Sequence, residues 1–132
     1  MNITVSFEFT KIGKVSLEAG KLRFPKAPEE PGIYQFEIRD RIYVGETDRL
    51  RRRSQHYRTP GPSQHTNIRL NASINAALNE GLEVAVSTIE VAKIQVEGVE
   101  SELDLSKKSG RLLVESAVLS SAQLSGQLVE NL

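Results

Sequence analysis

Apolar residues fall at every second position in the opening stretch: Ile3, Val5, Phe7 and Phe9 alternate with polar neighbours. That period predicts a strand with one buried face. A second short strand around Val15 to Leu17 is its expected partner, with Lys11 to Lys14 between them. Phe24 to Pro31 is punctuated by three prolines and reads as an extended lead-in rather than the centre of a sheet. Residues 1–30 are therefore expected to form an N-terminal β extension, with the main domain spanning 31–132.

Ile33 to Ile38 and Arg41 to Val44 read as an antiparallel hairpin. A loop of two or four residues gives one register, in which Phe36 faces Tyr43 and Tyr34 faces Gly45. Directly opposed residues share a face, so Tyr34 and Tyr43 project from the same side as diagonal neighbours. Gly45 has no side chain and leaves room opposite Tyr34, an expected pocket.

Thr47 or Asp48 is positioned to cap a helix running to about Tyr57. Leu50, Arg53 and Tyr57 lie on one face of it, while Arg49, Arg52 and His56 share another. A guanidinium on the inward stripe needs a partner, whether a carboxylate such as Glu46 or Asp48, a carbonyl or a phosphate. Arg58 to His65 is a loop. Asn67 to Asn79 predicts a helix with Leu70, Ile74, Ala77 and Leu78 inward and Gly81 as its stop. Leu82 to Val91 predicts a strand on that helix, Lys93 to Glu97 a second strand, and Ser106–Gly110 the start of a last helix reaching about Ala122. The expected class is α/β (α+β): a small, largely antiparallel central sheet flanked by helices.

Composition narrows the chemistry. The chain of 132 residues has no cysteine, which excludes disulfides and thiolate metal sites. No apolar run approaches the roughly 20 residues that span a bilayer. Met1 to Phe9 lacks the basic start and continuous apolar run of a signal peptide. A soluble, cytoplasmic protein without membrane partners is the expectation. Net charge is zero, but its distribution is uneven. Eight arginines between Arg39 and Arg69 face only Asp40, Glu46 and Asp48; seven acidic residues between Glu80 and Asp104 face only Lys93. One face can attract a phosphate backbone although the whole is neutral.

Gly32-Ile33-Tyr34, then Tyr43-Val44-Gly45, then Arg53 eight positions after Gly45 resemble the signature of the GIY-YIG nucleases. The resemblance runs from Pro31 to Glu115 and Asn131. It implies a metal-dependent endonuclease acting on duplex or branched DNA, the alternative being a catalytically silent nucleic-acid-binding module on the same scaffold. In such enzymes the first motif tyrosine, here Tyr34, takes a proton from the attacking water, and Tyr43 positions water or phosphate. A phenol with a pKa near 10 needs a nearby metal or arginine to act as a base at neutral pH. Arg53 would contact the scissile phosphate with its planar fork. Tyr57, four positions on, matches the tyrosine found there in the excision-repair branch, so that role does not pass to the adjacent His56.

Glu115, in Arg111-Leu112-Leu113-Val114-Glu115, would bind one Mg²⁺ or Mn²⁺, a single carboxylate with waters being typical of magnesium. The plain alternative is a surface pair of Arg111 with Glu115. Asn131 corresponds to the family's C-terminal asparagine. Arg49, Arg52, His56, Arg58, His65 and Arg69 are the expected nucleic-acid contacts. Glu46 departs from the pattern, standing where repair-type relatives have lysine; it would repel a phosphate or add a metal ligand. With no separate DNA-binding region, specificity is expected from the N-terminal extension, the Arg58–His65 loop, a homodimer or a partner chain.

Overall fold

The structure is a computed structural model that describes residues 1–61 and 64–132, with the side chains of all of these except His56. Ten strands and three helices occur in the described chain. The hairpin forms as its alternation requires: β5 (Gly32–Ile38) pairs antiparallel with β6 (Arg41–Thr47) around Arg39-Asp40, placing Phe36 opposite Tyr43 and Tyr34 opposite Gly45. Arg39 takes a positive φ of 56° to close this two-residue loop. Around the pair grows a five-stranded sheet ordered β10-β6-β5-β7-β2, with β7 at Val84–Ile89 and β2 at Thr10–Lys14. The edge strand β10 (Leu128–Asn131) runs parallel to β6; the other pairings are antiparallel.

Both faces of the central sheet are covered, which is why the middle of the pair, Ile33 to Phe36 and Ile42 to Gly45, is apolar at every position but Gln35. On one face Tyr34, Phe36 and Tyr43 pack with Val84 and Val86 against helices α1 (Leu50–Arg58) and α2 (His65–Asn79). On the other, Ile33, Ile42, Val44 and Ile89 pack against Val114, Val118 and Ala122 of α3 (Lys108–Leu124). Each fully buried large side chain, such as Tyr57, Phe36 or Ile74, contributes about 1.5–3 kcal/mol by leaving water. Helix α2 stops at Glu80, and Gly81 beyond it adopts φ 80° as a helix-ending glycine does.

The N-terminal residues are β, but β1 (Ile3–Phe7) pairs with β8 (Ala92–Val96) and not with the segment around Val15 to Leu17. Val5 and Phe7 find apolar cover in the α3-side core, which a hairpin within the first 20 residues would not offer. Lys11–Lys14 is no connector; it belongs to β2, bulged between Lys11 and Gly13 at the edge of the central sheet. Val15, Leu22 and Ala27 enter the α1/α2-side core, with β3 (Ser16–Glu18) and β4 (Lys21–Arg23) forming a small hairpin. Strand β9 (Val99–Glu102), which pairs with β8, is exposed at every position and carries no alternation to announce it.

Candidate active site

Tyr34 and Gly45 are cross-strand partners, and their chemistry follows from that pairing. A Cβ on Gly45 would land on the phenol group of Tyr34. The expected pocket is therefore filled: the Tyr34 ring lies across the glycine, and its hydroxyl is held where a side chain would otherwise be.

Helix α1 brings the partners. Thr47 accepts the N–H of Arg49 at 3.2 Å, but neither Thr47 nor Asp48 caps the helix proper. The amides of Leu50 and Arg51 donate instead to the carbonyls of Glu30 (2.9 Å) and Pro28 (3.1 Å). The proline-punctuated lead-in thus supplies the acceptors that a helix start lacks. Leu50 and Tyr57 are buried, and Arg53 between them is half-buried. Tyr57 stands edge-on to Tyr34 and Phe36, with ring centroids 5.8 and 5.5 Å away, so the helix is keyed to the sheet by aromatic contacts.

The hydroxyls of Tyr34 and Tyr57 lie 2.6 Å apart, and the Nε–H of Arg53 donates to both at 3.3 Å. Burial pushes the Tyr34 phenol well above its usual range, and Tyr57 adds to this; Arg53 opposes without prevailing. Tyr57 is likewise raised by burial, against the hydrogen bond from Tyr34 and the charge of Arg53. Burial alone would lower the Arg53 pKa, but the two tyrosine oxygens raise it, so the guanidinium stays charged. Of the two groups that could favour ionised Tyr34, a metal or an arginine, Arg53 does not suffice: desolvation outweighs it, and both phenols are neutral here. Nor does Arg53 pair with Glu46 or Asp48; Asp48 binds Arg52, and Glu46 binds Arg111.

Across β6, Glu115 comes up from α3 only 7% exposed. Burial raises its carboxyl pKa, and the neighbouring Glu46 carboxylate raises it further; the polar Asn131 side chain and the Glu46 backbone beside it hold it down. Asn131 is thus brought to Glu115 from β10, not to the tyrosines. Arg111 does not pair with Glu115. Its Nε donates to Glu46 at 2.6 Å and its Nη1 to the Leu105 and Ser106 carbonyls at 3.0 and 3.1 Å. The surface pair of Arg111 with Glu115, the plain alternative from the sequence, does not form; Gly110 before it, where a Cβ would lie 2.5 Å from the Asp104 carbonyl, lets α3 begin in close contact.

Gly45 and Glu46 are consecutive on β6, so the tyrosine group and the glutamate group occupy opposite faces of one strand. At its end Arg53 from the first group and Glu46 with Arg111 from the second border a cleft of about 190 Å³, together with Asp48, Arg52 and Lys108. Tyr43 shares the face of Tyr34 and is 7% exposed. It borders a shallow groove with Ser73 and Glu80, and among the described residues it has no hydrogen bond to Tyr34, Tyr57 or Arg53. Arg49, Arg52, Arg58, His65 and Arg69 are all exposed on or beside α1 and α2. The His56 side chain, and Pro62 and Ser63 of the Arg58–His65 loop, lie outside the described residues.

Among the described residues no group of three or more acidic or histidine side chains could hold a metal ion. The donor chemistry at Glu115 still fits one: it is a buried carboxylate with no ion pair of its own among the described residues, and magnesium takes one protein carboxylate with waters. No described helix is long and apolar enough to cross a membrane.

No protein-family model and no curated protein matches this chain. Among solved structures, bacteriophage T4 EndoII, determined as a mutant with alanine in place of one glutamate, superposes with a TM-score of 0.54. It is 22% identical, over 82% of this chain and 86% of that one. The likeness is one of fold: this chain has the α+β architecture of that phage protein, with antiparallel sheets flanked by helices.

Proposed function

We propose that this protein is a metal-dependent DNA endonuclease of the GIY-YIG type. The observation that carries the reading is the set Tyr34, Tyr57 and Arg53 on one face of the sheet and Glu115 beside Glu46 and Asn131 on the other, with Arg53 and Glu46 bordering one cleft at the end of β6. The fold shared with EndoII supports it. Arg53, already charged and bonded to the tyrosines through Nε, would offer its remaining N–H groups to the phosphate oxygens. Tyr34 would accept the proton of the attacking water as its phenolate, a form that Arg53 and a bound metal together would have to favour, with the Tyr57 hydroxyl donating to the same oxygen across the short contact. Tyr43 would position water or phosphate from its place beside Phe36. Glu115, oriented by Asn131, would hold Mg²⁺ or Mn²⁺, which when bound supplies charge to the phosphate oxygens. Arg49, Arg52, His56, Arg58, His65 and Arg69 would contact the DNA backbone, with a second copy or a partner chain adding specificity.

A silent nucleic-acid-binding module is the second reading, favoured by the buried, neutral state of both phenols. Supercoiled plasmid incubated with and without Mg²⁺ or Mn²⁺ separates the two. Metal-dependent nicking that disappears in Glu115→Gln, with binding retained, is the expected result. Equal cleavage in excess chelator would remove the metal from the scheme; binding without cleavage by either form would establish the silent module.

A further inference from the structure

The cleft at the end of β6 holds more positive charge than the proposed chemistry uses. Its two carboxylates are each committed: Glu46 to Arg111 at 2.6 Å and Asp48 to Arg52. Two cations remain without a carboxylate, one on each wall. Arg53 on α1 is bonded to neutral phenols, and the exposed Lys108, at the first position of α3, has no hydrogen bond or ion pair among the described residues. Helix α3 begins at this cleft with Lys108 and has no acidic residue in its first turn, so its positive end adds to the charge there. Lys108 lies close enough to Glu115 to act on its carboxyl.

We propose that Lys108 is a phosphate ligand of this cleft, holding from α3 the nucleic-acid phosphate that Arg53 approaches from α1. The inference rests on the nuclease reading and assigns a residue to its substrate that no motif marks. A volume of about 190 Å³ accommodates a phosphate with its waters. The ammonium supplies a point charge beside the fork of Arg53, so geometry is set by the arginine and added attraction by the lysine. Lys107, next in the chain but outside the cleft lining, is the built-in control.

The test compares the full-length protein with Lys108→Ala and Lys107→Ala, binding a labelled DNA duplex in excess chelator over a range of salt. Melting of each is also followed with and without inorganic phosphate. Lys108→Ala is expected to weaken DNA binding by roughly 5- to 10-fold at about 100 mM salt and to shallow the log–log salt slope by about 0.9. Lys107→Ala should change affinity by less than about 2-fold, and phosphate should raise the melting temperature of wild type more than that of Lys108→Ala. Equal losses from the two lysines would overturn the proposal in favour of diffuse attraction. Loss of phosphate stabilisation with unchanged DNA affinity would overturn it too, leaving a site for free anions. Failure of every form to bind nucleic acid, with phosphate stabilisation still dependent on Lys108, would support the cleft as an anion seat and bring down the nuclease reading.

Discussion

The space above Gly45 is contested by a hydroxyl and a methyl group. Gly45→Ala puts a Cβ onto the Tyr34 phenol, and in this closely packed strand pair relief requires the ring to move. Overpacking of that kind costs about 1–3 kcal/mol, and a displaced hydroxyl no longer meets Tyr57 and Arg53. Tyr34→Phe makes the complementary change, keeping the ring and losing one buried hydrogen-bonding group at about 1 kcal/mol. Both variants should lower turnover by roughly 100-fold or more, the alanine variant with the larger fall in melting temperature; plasmid cleavage at wild-type rates by Tyr34→Phe would make the tyrosine a packing residue. Glu115 gives a prediction with a sign. Its pKa is raised in the fold by burial and by Glu46, so its favourable contribution is fully present below the unfolded carboxylate pKa and is lost as pH rises through the folded one. Glu115→Gln escapes that loss. It should melt above wild type at neutral pH, by a margin that closes as pH falls through the carboxylate range. Added Mg²⁺ should raise the melting temperature of wild type at neutral pH and leave Glu115→Gln unmoved. A margin independent of pH would show that the carboxylate is not strained by its surroundings.

Elements differ in how far the sequence announces them, and the difference is one of contact range. The β5–β6 register follows from local alternation plus a two-residue loop, and the α1 stripe of Leu50, Arg53 and Tyr57 follows from helical spacing, so the grouping of Tyr34, Tyr57 and Arg53 was readable. The partner of β1 was not, because choosing β8 depends on apolar cover some 90 residues away. Arg111 turned to Glu46 for a similar reason: the Leu105 and Ser106 carbonyls aim the guanidinium away from Glu115. The last strand falls between these cases. Gln127 to Leu132 reads as a docked tail with Leu128 and Leu132 inward, yet parallel pairing with β6 leaves Leu128 52% exposed and turns Val129 to the α3-side core. By the same parity Asn131 shares the face of Val129, where it meets Glu115. Asn131→Ala removes the polar neighbour of Glu115 at an exposed position and should cost under about 1 kcal/mol while lowering metal-dependent cleavage clearly. Deleting residues 128–132 removes the strand and its backbone pairing with β6, which ends with the Leu132 N–H on the Val44 carbonyl at 2.8 Å, and should lower the melting temperature as well. Equal loss of stability in both variants would mean that Asn131 serves the fold and not Glu115.

For the whole molecule the zero net charge poses the question of how such a protein would hold a polyanion. Arg49, Arg58 and Arg69 are exposed on or beside α1 and α2, whereas Glu97, Glu100 and Glu102 are exposed on the β8–β9 hairpin. If affinity follows direct phosphate contact, each arginine that touches the backbone releases counterions on binding. Arg49→Ala or Arg69→Ala should then weaken DNA binding at moderate salt and shallow the log–log salt slope by about 0.9 each. Reversing Glu100 and Glu102 to lysine makes the protein strongly basic overall but places no new charge beside Arg53. Because attraction between exposed charges fades over about 8–10 Å at physiological salt, that double variant should keep the wild-type slope and gain little affinity. The opposite pattern, a slope steepened by the hairpin lysines and indifferent to Arg49 and Arg69, would show that the strand runs over the hairpin instead. Arg53 and Glu115 could not then act on it, because a strand bound there would pass them by.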